Sequence, residues 1–156
     1  MPAEADFIRQ FRSPDAEACS RLMHACLNHD PLVPAAARRD ILLRETPEIM
    51  SQRARSFYVA VYFSGGAAAG IGGVDLNEIR MLFVAPGQRR RGIGSALLKH
   101  LESWIPPALF RSAFVYSTPG AVDFYRFHGY EPGGCHVFPG AGSSIPTIFM
   151  TKRLAS

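Results

Sequence analysis

An apolar run, Ile79-Arg-Met-Leu-Phe-Val84, leads directly into Ala85-Pro-Gly-Gln-Arg-Arg-Arg-Gly-Ile-Gly94. Ile93, Leu97, Leu101 and Ile105 then recur every four residues until Pro106-Pro107. Strand, glycine-rich turn and one-faced helix follow each other without a gap, and the proline pair ends the helix. Such a turn is a ready anion site. The first amides of the helix have no intrahelical partner, the helix dipole favours negative charge, and glycine lets a phosphate approach the backbone. Two familiar phosphate loops are excluded. A P-loop requires Gly-Lys followed by Ser or Thr, which is absent, and a dinucleotide fingerprint requires a third glycine where Leu97 stands.

The flanking segments predict a mixed α/β sheet. Ser13-Pro-Asp-Ala-Glu opens a helix, with Ser13 as the expected N-cap and Ala18, Leu22 and Ala25 as its apolar stripe. Further helices are expected over Ala35 to Leu43 and Pro47 to Arg53. Strands are expected over Phe57 to Phe63, Ala67 to Val74, Asn77 to Val84, Ala113 to Tyr116 and Ile145 to Leu154. Thr118 is placed to cap a helix starting at Pro119, which Gly129 ends. Strands alternating with helices favour a central sheet flanked by helices, and no linker divides residues 1–156, so one domain is expected.

Charge and composition narrow the partners. Seventeen Lys and Arg against thirteen Asp and Glu leave a net charge of +4. Only Arg89, Arg90 and Arg91 form a basic block, and its neighbours are apolar, which argues against nucleic acid and suits a small anionic ligand. The N-terminus lacks the pattern of a signal peptide, and no apolar run approaches the ~20 residues that span a bilayer. The expectation is a soluble, cytoplasmic protein without membrane association. Cys19, Cys26 and Cys135 form no C-x-x-C pair, which fits a reducing compartment. Cys19 and Cys26 fall on one helical face as small hydrophobes, and with His24 or His136 they show no metal-ligand spacing, so no metal is expected.

Arg89-Arg-Arg-Gly92-Ile-Gly94, with Val84-Ala-Pro86 before it and Ser95-Ala-Leu-Leu98 after it, closely resembles the coenzyme A pyrophosphate loop of the GNAT N-acetyltransferases. Their pattern is Gln/Arg-x-x-Gly-x-Gly/Ala. Ala121-Val-Asp-Phe-Tyr125-Arg-Phe-His-Gly-Tyr130 resembles the family's Ala-x-x-Phe-Tyr-x-x-x-Gly-Phe helix, and Pro146 to Leu154 its closing strand. The specific likeness runs from about Asn77 to Glu131. It implies a mostly antiparallel sheet of about six or seven strands flanked by helices.

The resemblance also implies a chemistry, attack by a primary amine on the thioester of acetyl-CoA through a tetrahedral intermediate. Such transfer needs the donor held, the oxyanion stabilised, the amine deprotonated and the thiolate protonated. By resemblance, main-chain groups of Leu82, Phe83 and Val84 run along the pantetheine. Amides from Arg89 through Arg90, Arg91, Gly92, Ile93 and Gly94 to Ser95 hold the pyrophosphate, with guanidinium groups in support. Phe124 and Thr118 complete the expected coenzyme contacts. Thr118 stands where the family often has Asn, and its hydroxyl can instead cap the helix. Tyr125 matches the residue that protonates the departing thiolate, although a tyrosine there also serves to pack helix on sheet. Glu78 shares a strand face with Arg80 and is the candidate base, with a solvent-facing glutamate as the alternative. His24, His29, His100, His128 and His136 are expected to be surface or packing residues.

The acceptor, a small-molecule or peptide amine, is implied to lie against Leu27 to Arg53 and Gly133 to Pro146. The acids there, Asp30, Glu45 and Glu48, either attract a cationic amine or are ordinary surface. A homodimer is compatible with the family. The alternative function is a non-catalytic module of the same fold that binds CoA as a signal.

Overall fold

A computed structural model of the chain describes residues 3–137 and 146–155. The first half builds β1 (Phe7–Gln10), α1 (Ala16–His29), α2 (Ala35–Arg44), α3 (Pro47–Ser56), β2 (Tyr58–Ser64) and β3 (Ala67–Asp75). The second half builds β4 (Glu78–Val84), α4 (Ile93–Glu102), β5 (Ser112–Ser117), α5 (Val122–Phe127), β6 (Glu131–Val137) and β7 (Pro146–Arg153). The strands form one sheet in the order β1-β2-β3-β4-β5-β7-β6, antiparallel throughout except where β4 meets β5. This is the expected mixed, mostly antiparallel sheet flanked by helices. No helix among the described residues is long and apolar enough to cross a membrane.

Both faces of the sheet are covered, which is why β2 and β3 are apolar without interruption. On one face α4 buries Ile93, Leu97, Leu98 and Leu101 against Ala60, Ile79 and Val115. On the other, α1 buries Cys19, Leu22, Met23 and Cys26 against Val59, Val61 and Ile71. The glycines that weaken β3 as a sequence signal are required by this packing. A Cβ on Gly72 would lie 2.7 Å from Leu101 Cδ1, so a side chain there would push α4 off the sheet.

Several boundaries differ from the sequence expectation. Ser13 does not cap α1, because Ser13–Asp15 is a 3-10 turn. The Asp15 carboxylate closes that turn instead, accepting from the Arg12 amide at 2.7 Å and from the Arg9 guanidinium at 2.7 and 2.9 Å, and no side chain caps α1. α4 ends at Glu102, and Ile105 reaches the core from a turn whose amide donates to the Glu102 carbonyl. Ile145, the expected start of the last strand, lies outside the described residues. β1 and β6 carry no sequence expectation, and both are edge strands. β6 contains Pro132, Gly133 and Gly134, which an edge tolerates because one side of its ladder is unpaired.

One irregularity positions the site. β4 and β5 pair in parallel only through Glu78 with Phe114 and Ile79 with Val115. Immediately beyond, Met81 has φ of +56° and the β3–β4 register shifts between Ile71 and Gly73. A bulge of this kind bends the strand and ends pairing on one side. The C-terminal half of β4 stays with β3 and separates from β5, opening a cleft in the sheet.

Candidate active site

The cleft has two chambers. The first, about 470 Å³, is framed by the end of β4, the loop to α4, the end of α1 and α5. The second, about 750 Å³, lies between α1, α2, α3 and the start of β4. Leu27, Leu82, Phe83, Thr118, Ala121 and Tyr125 line both, so the chambers meet where β4 and β5 part.

The first chamber suits an extended ligand ending in phosphates. The chain passes from Val84 through a 3-10 turn at Pro86–Gln88 and enters α4 at Gly92, whose φ of +78° is unfavourable for any residue with a Cβ. Arg90 also has positive φ, +64°. Arg89, Arg90, Gly92, Ile93, Gly94 and Ser95 all face this chamber. A Cβ on Gly94 would meet the Phe124 ring at 3.2 Å, so the helix start and α5 are as close as glycine allows. The Arg91 side chain turns elsewhere. Its guanidinium lies 3.6 Å from Asp6 and 3.2 Å from Ser64 Oγ, and it bonds Gln88, which braces the loop against the sheet edge. The Ser95 hydroxyl is 2.9 Å from His128 Nε2, which leaves its amide for a ligand. Burial holds the His128 ring below the ordinary histidine pKa.

The wall nearest the junction is apolar. Cys26 points into it, buried, with its thiol donating to the Val84 carbonyl at 3.1 Å. Burial raises this thiol's pKa, against the opposing pull of Arg89. Arg89 Nε also approaches the Val84 carbonyl, at 3.5 Å. Sequence reasoning placed Cys26 in the core but not in the site, since nothing local shows that α1 ends beside β4.

Tyr125 stands at the junction, 5% exposed, with its ring edge-on to Phe124 and Tyr130. Burial raises its phenol well above the ordinary tyrosine pKa, so it stays protonated and able to donate. Among the described residues, its hydroxyl makes no hydrogen bond. Thr118 sits at the start of the 3-10 turn that leads into α5, yet its hydroxyl makes no capping bond. The Ala121 amide bonds the Thr118 carbonyl instead.

The second chamber contains Glu78 and Arg80, on one face of β4 as expected, 3.7 Å apart. Burial raises the Glu78 carboxyl above its usual range, Arg80 opposes this, and Asp75 adds to it. Glu45 is not a free acid. It is 7% exposed and receives two bonds from the Arg53 guanidinium, at 2.5 and 2.8 Å, while its carbonyl accepts from Ser20 and lies 2.7 Å from His24 Nε2. Asp30 belongs to the first chamber, not the second. Of the expected acceptor stretch at Gly133 to Pro146, residues 138–145 lie outside the described residues. No group of three or more His, Cys, Asp and Glu among the described residues is placed to hold a metal ion.

Comparison with known proteins identifies the family and the fold. A family profile described as an acetyltransferase (GNAT) domain matches residues 53–132. An uncharacterised N-acetyltransferase of Chlorobaculum tepidum is 29% identical over 142 residues, covering 89% of this chain and 84% of the relative. Among solved structures, a GCN5-related N-acetyltransferase from Rhodopseudomonas palustris superposes with a TM-score of 0.86 at 18% identity, covering 99% of both chains. The PaiA N-acetyltransferase of Thermoplasma acidophilum, solved in complex with coenzyme A, gives 0.75 at 16% identity over 97% of this chain and 100% of that one. At these identities the structural likeness speaks for the fold.

Proposed function

The chain belongs to the GNAT acetyltransferase family, and on that premise we propose that it is an N-acetyltransferase, acting as one domain over residues 1–156. It moves the acetyl group of acetyl-CoA to a primary amine by direct attack through a tetrahedral intermediate. The observation that carries this reading is the meeting of two chambers at Tyr125, one built for an anionic donor and one for an acceptor. Acetyl-CoA supplies the activated acyl thioester.

The residues of the first chamber fit that donor. Helix-start amides from Gly92 to Ser95, with Arg89 and Arg90 beside them, match a pyrophosphate. The apolar wall of Leu27, Cys26, Phe83 and Ile93 matches an aliphatic arm. Where β4 leaves β5, the main chain of Leu82, Phe83 and Val84 lies along this chamber and serves the arm as a neighbouring strand would.

The two proton transfers fall to named groups. Glu78, its carboxyl shifted toward neutrality by burial, accepts the ammonium proton and frees the nucleophilic lone pair. Tyr125 holds a phenolic proton at the junction and donates it to the departing thiolate, a transfer that runs uphill to a thiol of ordinary pKa near ~8.5 and is drawn forward by loss of the product. A test combines calorimetry with CoA and thiol release in the presence of acetyl-CoA and an amine panel. Release above the background hydrolysis rate supports the reading. Tight CoA binding with no release for any amine replaces it with the non-catalytic CoA-binding module.

A further inference from the structure

The charge pattern of the second chamber restricts its occupant. Three carboxylates line it, Glu45, Asp75 and Glu78, against two guanidinium groups, Arg53 and Arg80. Both cations are committed. Arg53 is held by Glu45 through two hydrogen bonds. Arg80 lies 3.4 Å from Asp75 and 3.7 Å from Glu78, and its guanidinium carbon is 5.0 Å from the centre of the Phe57 ring. Among the described lining residues, each cation already has an acidic partner, so a carboxylate on the acceptor would compete with Glu45, Asp75 or Glu78, and the balance is one negative charge.

The rest of the lining mixes apolar side chains, among them Met23, Leu27, Ile41, Phe57, Phe83 and Tyr116, with the polar Gln52, Ser56, Ser117 and Thr118. Tyr116 also belongs to an aromatic patch on this face of the sheet. Its ring centre is 5.9 Å from Phe114 and 5.4 Å from Phe149. Flat, half-buried rings favour a partner that is itself a ring. A second ammonium on the acceptor would enter this chamber without a carboxylate of its own, the one surplus charge being taken by the first.

We propose that the acceptor is a compact monoamine, one positive charge on an apolar, preferably aromatic body, and that free amino acids and polyamines are discriminated against. This rests on the acetyl-transfer reading above. Asp75 and Tyr116 act as specificity determinants, one through charge and the other through ring contact.

The test measures thiol release from acetyl-CoA with 2-phenylethylamine, L-phenylalanine, ethylamine and spermidine. Phenylalanine adds only a carboxylate to phenylethylamine, and ethylamine removes the ring. The expected result is a kcat/KM for phenylethylamine at least about tenfold above each of the others. Preference for phenylalanine, ethylamine or spermidine overturns the inference while leaving acetyl transfer intact. Silence with all four amines overturns the inference, and the acetyl-transfer reading falls with it only where the wider amine panel is silent too. In Asp75→Asn the ratio of phenylethylamine to phenylalanine turnover should fall several-fold. In Tyr116→Ala the ratio of phenylethylamine to ethylamine should fall about fivefold, the value of one aromatic pair. Unchanged ratios in a variant that retains the native circular dichroism count against the inference.

Discussion

Gly94 at the start of α4 and Phe124 in α5 touch so closely that a Cβ on the glycine would sit 3.2 Å from the ring. This contact brings the glycine–arginine turn and the helix of Tyr125 together, so the proposed donor loop and the proposed proton donor share one structural joint.

Substitution at that joint should disable donor binding. In Gly94→Glu the side chain must displace Phe124, and the new carboxylate opposes the pyrophosphate. In Gly92→Glu the residue must also hold φ near +78°. At Gly92 that backbone strain is on the order of 1–3 kcal/mol, and at both positions the carboxylate faces the proposed pyrophosphate site, so CoA affinity should drop at least about tenfold in each. Calorimetry with undiminished affinity would refute the loop assignment.

Removal of the Tyr125 hydroxyl should separate chemistry from binding. Tyr125→Phe keeps the ring and its packing on Phe124 and Tyr130, so CoA affinity should stay within about twofold, while kcat falls about 100-fold, the lower end of general-acid effects. Unchanged turnover at saturating substrate would remove the acid role.

The raised pKa of Glu78 makes a prediction in two directions. A base must be deprotonated, so kcat/KM should climb as pH rises through a value above the usual carboxylate range. Glu78→Gln should abolish that limb. The same shift bears on stability. Folding favours the protonated form, so this contribution is fully present below the unfolded-state pKa and is lost as pH rises through the folded one. Glu78→Gln should therefore raise the melting temperature at neutral pH, with the difference vanishing below about pH 4. A lower melting temperature at neutral pH would show that the pairing with Arg80 outweighs desolvation.

The Glu45–Arg53 pair should matter to α2, α3 and the chamber they wall. Glu45→Gln leaves a guanidinium that is 29% exposed facing a neutral amide. Complete burial would cost ~3–5 kcal/mol. Solvent screening at Arg53 reduces this to roughly 1–3 kcal/mol, readable from urea denaturation at constant m-value.

Much of this molecule is legible in order along the chain. The run from Ile79 to Ile105 announces strand, anion turn and helix because the side-chain periods change abruptly from two to four and glycine punctuates the change. Thr118-Pro119 and Gly129 bracket the Tyr125 helix for equally local reasons. β6 is not legible, since its Pro and Gly residues argue against a strand. It pairs only because β7 offers an edge. Nor does any local signal foretell left-handed backbone at Met81, since nothing in its side chain favours positive φ.

The sequence by itself therefore determined the sheet class, the glycine–arginine turn between β4 and α4 and the helix that carries Tyr125, all of which depend on near neighbours. Tertiary structure alone decided the rest. It parted β4 from β5, set Cys26 and Leu27 of α1 against that gap, turned Arg91 away and closed Glu45 with Arg53. Those outcomes depend on which distant residues meet in space, and no spacing along one chain encodes them separately from the fold.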